Sequence, residues 1–256
     1  MNLRSFIIPV ILLLTLLPDS VYAQETREEK FMQGTEYFRS GDYEKALGIW
    51  TEIYKTGYSS SQLLYNMGNA CFKMNNVSGS ILYYERAHLL KPADEDINYN
   101  LQIARTLVVD RFEEIPELFF IRWYNFISLV ISTNGWAKIS IISFLLCLLF
   151  LSLYLYTGKY NLKVLGFWLA LLFFITSSAS LAFSLRNRAL VLKSDKAIIV
   201  SPQVNGKSSP DISGTDLFIL HEGTKVSVGD KVGEWVEIRL SDGNKGWVSA
   251  SGLEIL

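Results

Sequence analysis

Two uncharged apolar runs decide most of what this chain can become. Between Lys138 and Lys159 the stretch ISIISFLLCLLFLSLYLYTG carries no charge for about 20 residues, and between Lys163 and Arg186 VLGFWLALLFFITSSASLAFSL continues for about 22. At about 1.5 Å per helical residue each reaches roughly 30 Å, the thickness of a bilayer's hydrocarbon core. The link TGKYNLK is short enough only for a turn. Two transmembrane helices, 138–158 and 164–185, are therefore expected as a hairpin. Ser177, Ser178, Ala179 and Ser180 are small enough to let helix backbones approach, within the hairpin or against a partner's helix.

A third apolar run, FIIPVILLLTLL from Phe6 to Leu17, follows Arg4 and precedes PDSVYAQET, where Val21 and Ala23 fit a small-residue cleavage site. About 12 residues span only about 18 Å as helix, too short to cross. The run reads as a signal peptide, 1–23, with the mature chain beginning near Gln24; an uncleaved anchor is the alternative. A translocated N-terminus would place residues 24–137 and 187–256 outside the cytoplasm. Lys159 and Lys163 favour a cytoplasmic turn, but Arg122, Lys138, Arg186, Arg188 and Lys193 then flank the spans on the outer side.

The segment before the spans repeats itself at about 34 residues. Gly34 and Gly68, Tyr37 and Cys71, Phe38 and Phe72, Trp50 and Tyr84, and Phe31 and Tyr65 all recur at that spacing. YFRSGDYEKALGIW resembles the middle of a tetratricopeptide repeat, with Gly34 and Ala46 as the small residues where paired helices touch. In the second copy Gly68 and Ala87 fill small positions, Asn75 replaces the turn glycine, Ser80 replaces the packing alanine, and Pro92 closes the unit. Asn tolerates a left-handed turn and Ser is small. A third helix, DEDINYNLQIARTLVVD, continues the register with Tyr99 and Leu101 and caps the array. Its acidic start, Asp94, Glu95 and Asp96, fits a helix N-terminus better than a metal site.

This resemblance implies an α-helical tetratricopeptide-repeat solenoid over 24–115 that gains stability by stacking. Its first helices would line a partner groove of Phe31, Thr35, Arg39, Tyr65, Asn69, Lys73 and Tyr99. Asn69 occupies the GN setting that peptide-binding repeats use for carboxylates, although the companion basic residues are not all matched. The opposing reading is that the aromatics only pack between helices.

Residues 116–137 join repeats to spans. The apolar piece Leu118–Ile131 is too short to cross, and Trp123, Tyr124 and Trp136 suit a headgroup boundary; a linker helix buried against the repeats is the alternative. After the spans, over 190–256, come AIIV, LFIL, TKVSVGDKV, EWVEIRL and GWVSA with glycine turns, a small β-barrel pattern. This tail resembles a bacterial SH3 domain through Gly223, Val226, Trp235, DGNKGW and the terminal strand. The tyrosine-rich motif of proline-binding SH3 domains is missing. Trp235 and Trp247 are candidate ligand platforms, with Trp235 expected in the core and Trp247 exposed.

Cys71 and Cys147 lie in different regions and read as packing residues, not as a disulfide or metal pair. Neither His88 nor His221 has catalytic or metal-ligand companions at motif spacing, so the chain reads as non-enzymatic and without cofactor. Nucleic acid is disfavoured, because residues 24–116 hold 14 acidic and 10 basic side chains.

The full order, leader, repeats, the joint NYNLQIARTLVVDRFEEIPELFFIRWYN, two spans and an SH3-like tail, resembles the BatE-type proteins of the Bacteroides aerotolerance operon. The resemblance implies a multi-domain accessory protein of the inner membrane, acting with von Willebrand factor A-domain Bat proteins and MoxR-type ATPases in a process linked to oxidative stress. An envelope sensor whose tail holds peptidoglycan peptide is the competing function.

Overall fold

The computed structural model describes residues 18–113, 118–192 and 195–256, with side chains from Thr26 onward. The leader run Phe6–Leu17 lies outside the described residues. Eight helices are described: α1 (Pro18–Arg39), α2 (Tyr43–Lys55), α3 (Ser61–Lys73), α4 (Val77–Leu90), α5 (Glu95–Thr106), α6 (Phe119–Val130), α7 (Thr133–Tyr156) and α8 (Tyr160–Leu192). Seven strands follow: β1 (Lys196–Ile199), β2 (Gln203–Lys207), β3 (Asp216–His221), β4 (Lys225–Val232), β5 (Trp235–Arg239), β6 (Lys245–Ser249) and β7 (Leu253–Ile255).

The spacing seen in the sequence recurs as local chemistry in α1 to α5. Asp42 caps α2 by accepting from the Lys45 amide, and Asn76 caps α4 from the equivalent place, accepting from Gly79. Ser60 and Asp94 do the same for α3 and α5 through the amides of Leu63 and Ile97. Each cap satisfies an amide that the first helical turn leaves open. The turns ahead of α2 and α4 need a left-handed residue, supplied by Gly41 (φ 87°) and Asn75 (φ 58°). Ala46 and Ser80 are both fully buried, and Ser80 returns its hydroxyl to the Val77 carbonyl. The acidic start of α5 is thus a cap, with Asp94 also paired to Lys91.

Packing between helices repeats as well. A Cβ on Gly34 would stand 2.4 Å from Trp50, and one on Gly68 would stand 2.5 Å from Tyr84. Each glycine makes room for the large aromatic of the helix behind it. Ala46, Trp50, Ile53, Leu63, Met67 and Ala70 form the core of the helical region.

Helices α7 and α8 run antiparallel and are both long and apolar enough to cross a membrane. Ser140 and Ser177 exchange hydroxyl-to-carbonyl bonds at 3.0 Å, and Phe150 stacks on Phe173. Of the four small residues, Ser177 and Ser180 face α7 while Ser178 and Ala179 are exposed. Both helices begin before their expected bounds, and the second also ends beyond its own, while the first stops at Tyr156, just short of 158. The first begins at Thr133, so Trp136 belongs to it and not to the linker, and the second continues through Arg186 to Leu192, beyond the expected start of the tail at 190. The reason is that helix propagation depends on backbone hydrogen bonds and capping, here Ser132 accepting from Gly135, and not on where hydropathy ends.

Helix α6 is clamped to the base of α8. The Arg186 guanidinium donates to Asn125 Oδ1 at 2.5 Å and to the Ser128 hydroxyl, and Asn187 donates to the Ser128 carbonyl at 2.6 Å. Phe119, Trp123 and Phe126 remain more than two-thirds exposed, an apolar surface suited to a membrane boundary.

The tail is one antiparallel sheet in the order β3-β2-β6-β5-β4-β1-β7 around the core of Ala197, Ile199, Leu220, Val226, Ile238 and Val248. Strand β2, QVNGK, was not among the runs singled out from sequence; its polar residues and Gly206 give no apolar alternation. Gly206 and Gly246 are covered by the ring of Phe218, which a Cβ at either would meet within 2.7 Å.

The repeated glycine contact predicts opposite signs for two similar substitutions. Gly68→Ala should destabilise by about 1–3 kcal/mol through overpacking against Tyr84. Gly48→Ala, on an exposed face of α2 with open space around it, should stabilise by about 0.5–1 kcal/mol. Urea unfolding in detergent, followed by helical circular dichroism, measures both; equal shifts would reject the packing account.

Candidate functional site

The residues of the expected groove differ in exposure: Phe31, Thr35, Tyr65 and Asn69 are half-buried, and Arg39, Lys73 and Tyr99 are exposed. Phe31 is half-buried, 6.3 Å from Trp50, and its carbonyl accepts from both Trp50 Nε1 and the Thr35 hydroxyl. Tyr65 stands 5.9 Å from Tyr84, and its hydroxyl accepts from Asn100. Asn69 is turned inward, its Oδ1 accepting from the Tyr84 hydroxyl at 2.7 Å and from Asn100. These contacts tie neighbouring helices together. Tyr99 shares their register but is 66 % exposed, because the chain leaves the array after α5 and no following helix supplies the aromatic that Trp50 and Tyr84 supply earlier. Arg39 and Lys73 are exposed.

The two tryptophans also depart from expectation. On β5, Val236 and Ile238 are buried, which places Trp235 on the outer face with Glu237; on β6, Val248 is buried and Trp247 lies on that same outer face. Glu237 pairs directly with Trp247 and Trp235 with Ser249. Trp235 is therefore not a core residue. Strand register decides this, since a shift of one would turn every side chain over.

The densest polar chemistry lies elsewhere, where the tail docks on α4 and α5. Glu85, with a side chain 2 % exposed, receives Arg105 at 2.5 Å and Lys225 at 2.6 Å. Asp110 accepts from the His221 amide at 2.7 Å and the Thr224 hydroxyl at 2.6 Å, and its other oxygen lies 2.8 Å from His221 Nδ1. Ser78 donates to Glu222, while Arg86 reaches Glu254 and the Ile255 carbonyl. Ser78, Ile81, Leu82, Glu85 and Arg86 thus form one stripe along α4, spaced by three to four residues as a helix face requires.

Apolar contacts reinforce the junction. Ile198 of β1 is fully buried among Ile81, Leu82, Tyr84, Leu101 and Ala104, while its neighbours Ala197 and Ile199 face the sheet core. Gly223 (φ 84°) lets the turn before β4 press onto the helices, and a Cβ there would stand 3.0 Å from Val108 and 3.1 Å from Ile81. Burial pushes the Glu85 carboxyl up, but the two cations on it outweigh that and hold it below the usual carboxylate range. Burial lowers the Lys225 ammonium and Glu85 offsets this only in part; the ionised trio is the state we assign, because one carboxylate faces two cations. Asp110 is likewise depressed: burial raises it, and the His221 amide and Thr224 hydroxyl more than compensate.

Of the junction residues, Gly223 was noted from sequence only as a mark of the SH3-like tail and His221 only as lacking catalytic companions; Glu85, Arg105, Asp110 and Lys225 were not singled out. One signal was present: in LYYERAHLL, Glu85 is a charge between residues that the repeat spacing makes internal. Burial pushes the Cys71 thiol up to about 12, and both cysteines are buried and unpaired. His88 holds Asn98 at 2.7 Å. Among the described residues no group of three His, Cys, Asp or Glu could hold a metal ion.

Because both folded carboxyls lie below the ordinary values near 4, their stabilisation is complete above that range and lost as pH falls through the folded values. Acidification below about pH 4 should therefore release the tail from α4 before the helical signal is lost. Glu85→Ala should weaken docking at neutral pH by about 2–3 kcal/mol, less than a fully buried pair because Arg105 is half exposed. Hydrogen exchange at β1 and α4 reads both effects, and unchanged protection would reject the docking role of Glu85.

Against known proteins, residues 204–254 match the family described as bacterial SH3 domain, from within β2 into β7. No curated protein and no solved structure matches the chain. Strand β1, whose Ile198 is buried among the helices, lies outside the matched region. The chain thus carries a bacterial SH3 domain at its C-terminal end, docked onto a helical region through β1, β4 and β7.

Proposed function

We propose that this protein is a non-catalytic scaffold of the bacterial inner membrane that binds protein partners through its tetratricopeptide-like helices on the periplasmic side. The observation that carries the reading is the docked pair of soluble units, joined through Glu85 and Asp110 and connected to one antiparallel pair of apolar helices. Docking requires both units to stand on one side of the bilayer, and a two-span hairpin meets that requirement. The leader-like run before Gln24 supports the outer side. Exposed Arg39, Lys73 and Tyr99 are the residues of the expected groove left available to a partner. The resemblance to BatE-type proteins makes von Willebrand factor A-domain Bat proteins the partners to try first, with a MoxR-type ATPase linked indirectly, in an aerotolerance or oxidative-stress complex.

Reporter fusion after Leu256 tests the topology: activity confined to the cytoplasm overturns it. Affinity capture from membranes with the full chain tests the scaffold. The Arg39→Ala, Lys73→Ala, Tyr99→Ala triple variant should keep its unfolding midpoint, since all three are exposed, and lose the captured Bat protein. Equal recovery with the triple variant would move the binding face elsewhere.

A second reading, cell-wall peptide binding by the SH3 domain, is favoured by the outer-face pair Trp235 and Trp247 flanking Glu237. Both Trp235→Ala and Trp247→Ala should remain folded, and the double variant should no longer sediment with purified peptidoglycan. Unfolding of Trp235→Ala would return that indole to a structural role.

A further inference from the structure

A cleft of about 900 Å³ opens beside the junction, between α5, the segment after it, α6 and the sheet. Six cationic side chains line it: Arg105, Arg111, Arg122, Lys196, Lys225 and Arg239. The whole chain has a formal charge of −1, so this concentration is a property of the fold and not of composition.

The charges are only partly answered. Glu85 engages Arg105 and Lys225 from behind, and both oxygens of Asp110, the one carboxylate among the described lining residues, are taken by His221 and Thr224. The guanidinium groups of Arg111, Arg122 and Arg239 make no ion pair or hydrogen bond with any described residue. Like charges gathered along low-dielectric walls raise the local potential and draw in an anion. Guanidinium forks match the oxygens of a phosphate group. Phe112 and Leu240 add apolar wall beside them.

Position narrows the class of ligand. Arg122 comes from α6, between Ile121 and the 68 % exposed Trp123, on the helix whose apolar surface suits the membrane boundary. One wall of the cleft therefore belongs to the element placed where phospholipid headgroups lie. We propose that the cleft is a binding site for the phosphodiester headgroup of an anionic phospholipid, held by Arg111, Arg122 and Arg239. A lipid so bound bridges the SH3 domain, through Arg239, to the membrane-proximal helix, through Arg122, and orients the docked pair against the bilayer.

The test titrates the full chain in an uncharged detergent with dihexanoyl-phosphatidylglycerol, dihexanoyl-phosphatidylcholine and inorganic phosphate, by calorimetry. The phosphatidylglycerol should bind saturably and more weakly as salt rises, and the phosphatidylcholine should bind at least about ten-fold more weakly. The Arg111→Gln, Arg122→Gln, Arg239→Gln triple variant should lose at least about ten-fold in affinity for the anionic lipid, as expected when charge-assisted bonds are removed. Lys55→Gln, on the exposed end of α2 and outside the cleft, should leave lipid binding unchanged. If the triple variant loses its helical circular dichroism, the three single variants are read in the same way, each expected to weaken binding. Undiminished binding in folded variants overturns the site. Inorganic phosphate binding as tightly as the lipid, with the same dependence on the arginines, overturns the lipid as source; absence of any saturable binding overturns the proposal entirely.

Discussion

A single buried carboxylate, Glu85, holds together three parts of the chain that are far apart in sequence. Arg105 approaches it from α5 and Lys225 from β4, so helices and sheet share one charge centre. An isolated carboxylate in that place would be costly to bury, and either cation alone would leave it incompletely satisfied. The arrangement therefore works only when all three elements are present. Ile198 depends on the same docking, because its fully buried side chain has the helices, not the sheet, as surroundings.

The consequence is that α4 is buried on two sides. Tyr84 and Ala87 face the preceding helices, and Ser78, Ile81, Glu85 and Arg86 face the sheet. In a free-standing helical array the outer face of such a helix meets solvent. Here it is the platform for a second domain, and residues 108–112 add to the contact, with Asp110 bonded to the turn before β4 and Phe112 against the sheet core. The segment between the helical array and the apolar helix pair is thus part of the joint as well as a link. Arg186 and Asn187 continue the coupling downward, tying α6 to the base of α8.

Much of this was legible before any coordinates, for identifiable reasons. Caps, turn residues and small-for-large exchanges act within a few residues or within one repeat period, so the acidic cap at Asp94, the turn residue Asn75, and Gly34 with Gly68 could be read from the sequence alone. Length and hydropathy sufficed for α7 and α8. The candidate site was less legible. Phe31, Tyr65 and Tyr99 share a register, but whether each is covered depends on a helix behind it, and only the third lacks one. Trp235 and Val236 are equally plausible as inward residues until the pairing with β6 selects one face.

The sequence by itself determined the order of parts, the repeat period, the two apolar helices and the glycine turns of the tail, because local backbone preference and hydrophobic periodicity specify these without reference to distant residues. Tertiary structure alone decided that α4 carries a domain on its outer face, that Glu85 meets Lys225 across 140 positions, and that arginines from α6, β5 and the intervening joint line one cleft. Contacts of that separation arise from how finished elements pack, and no periodicity along the chain records them.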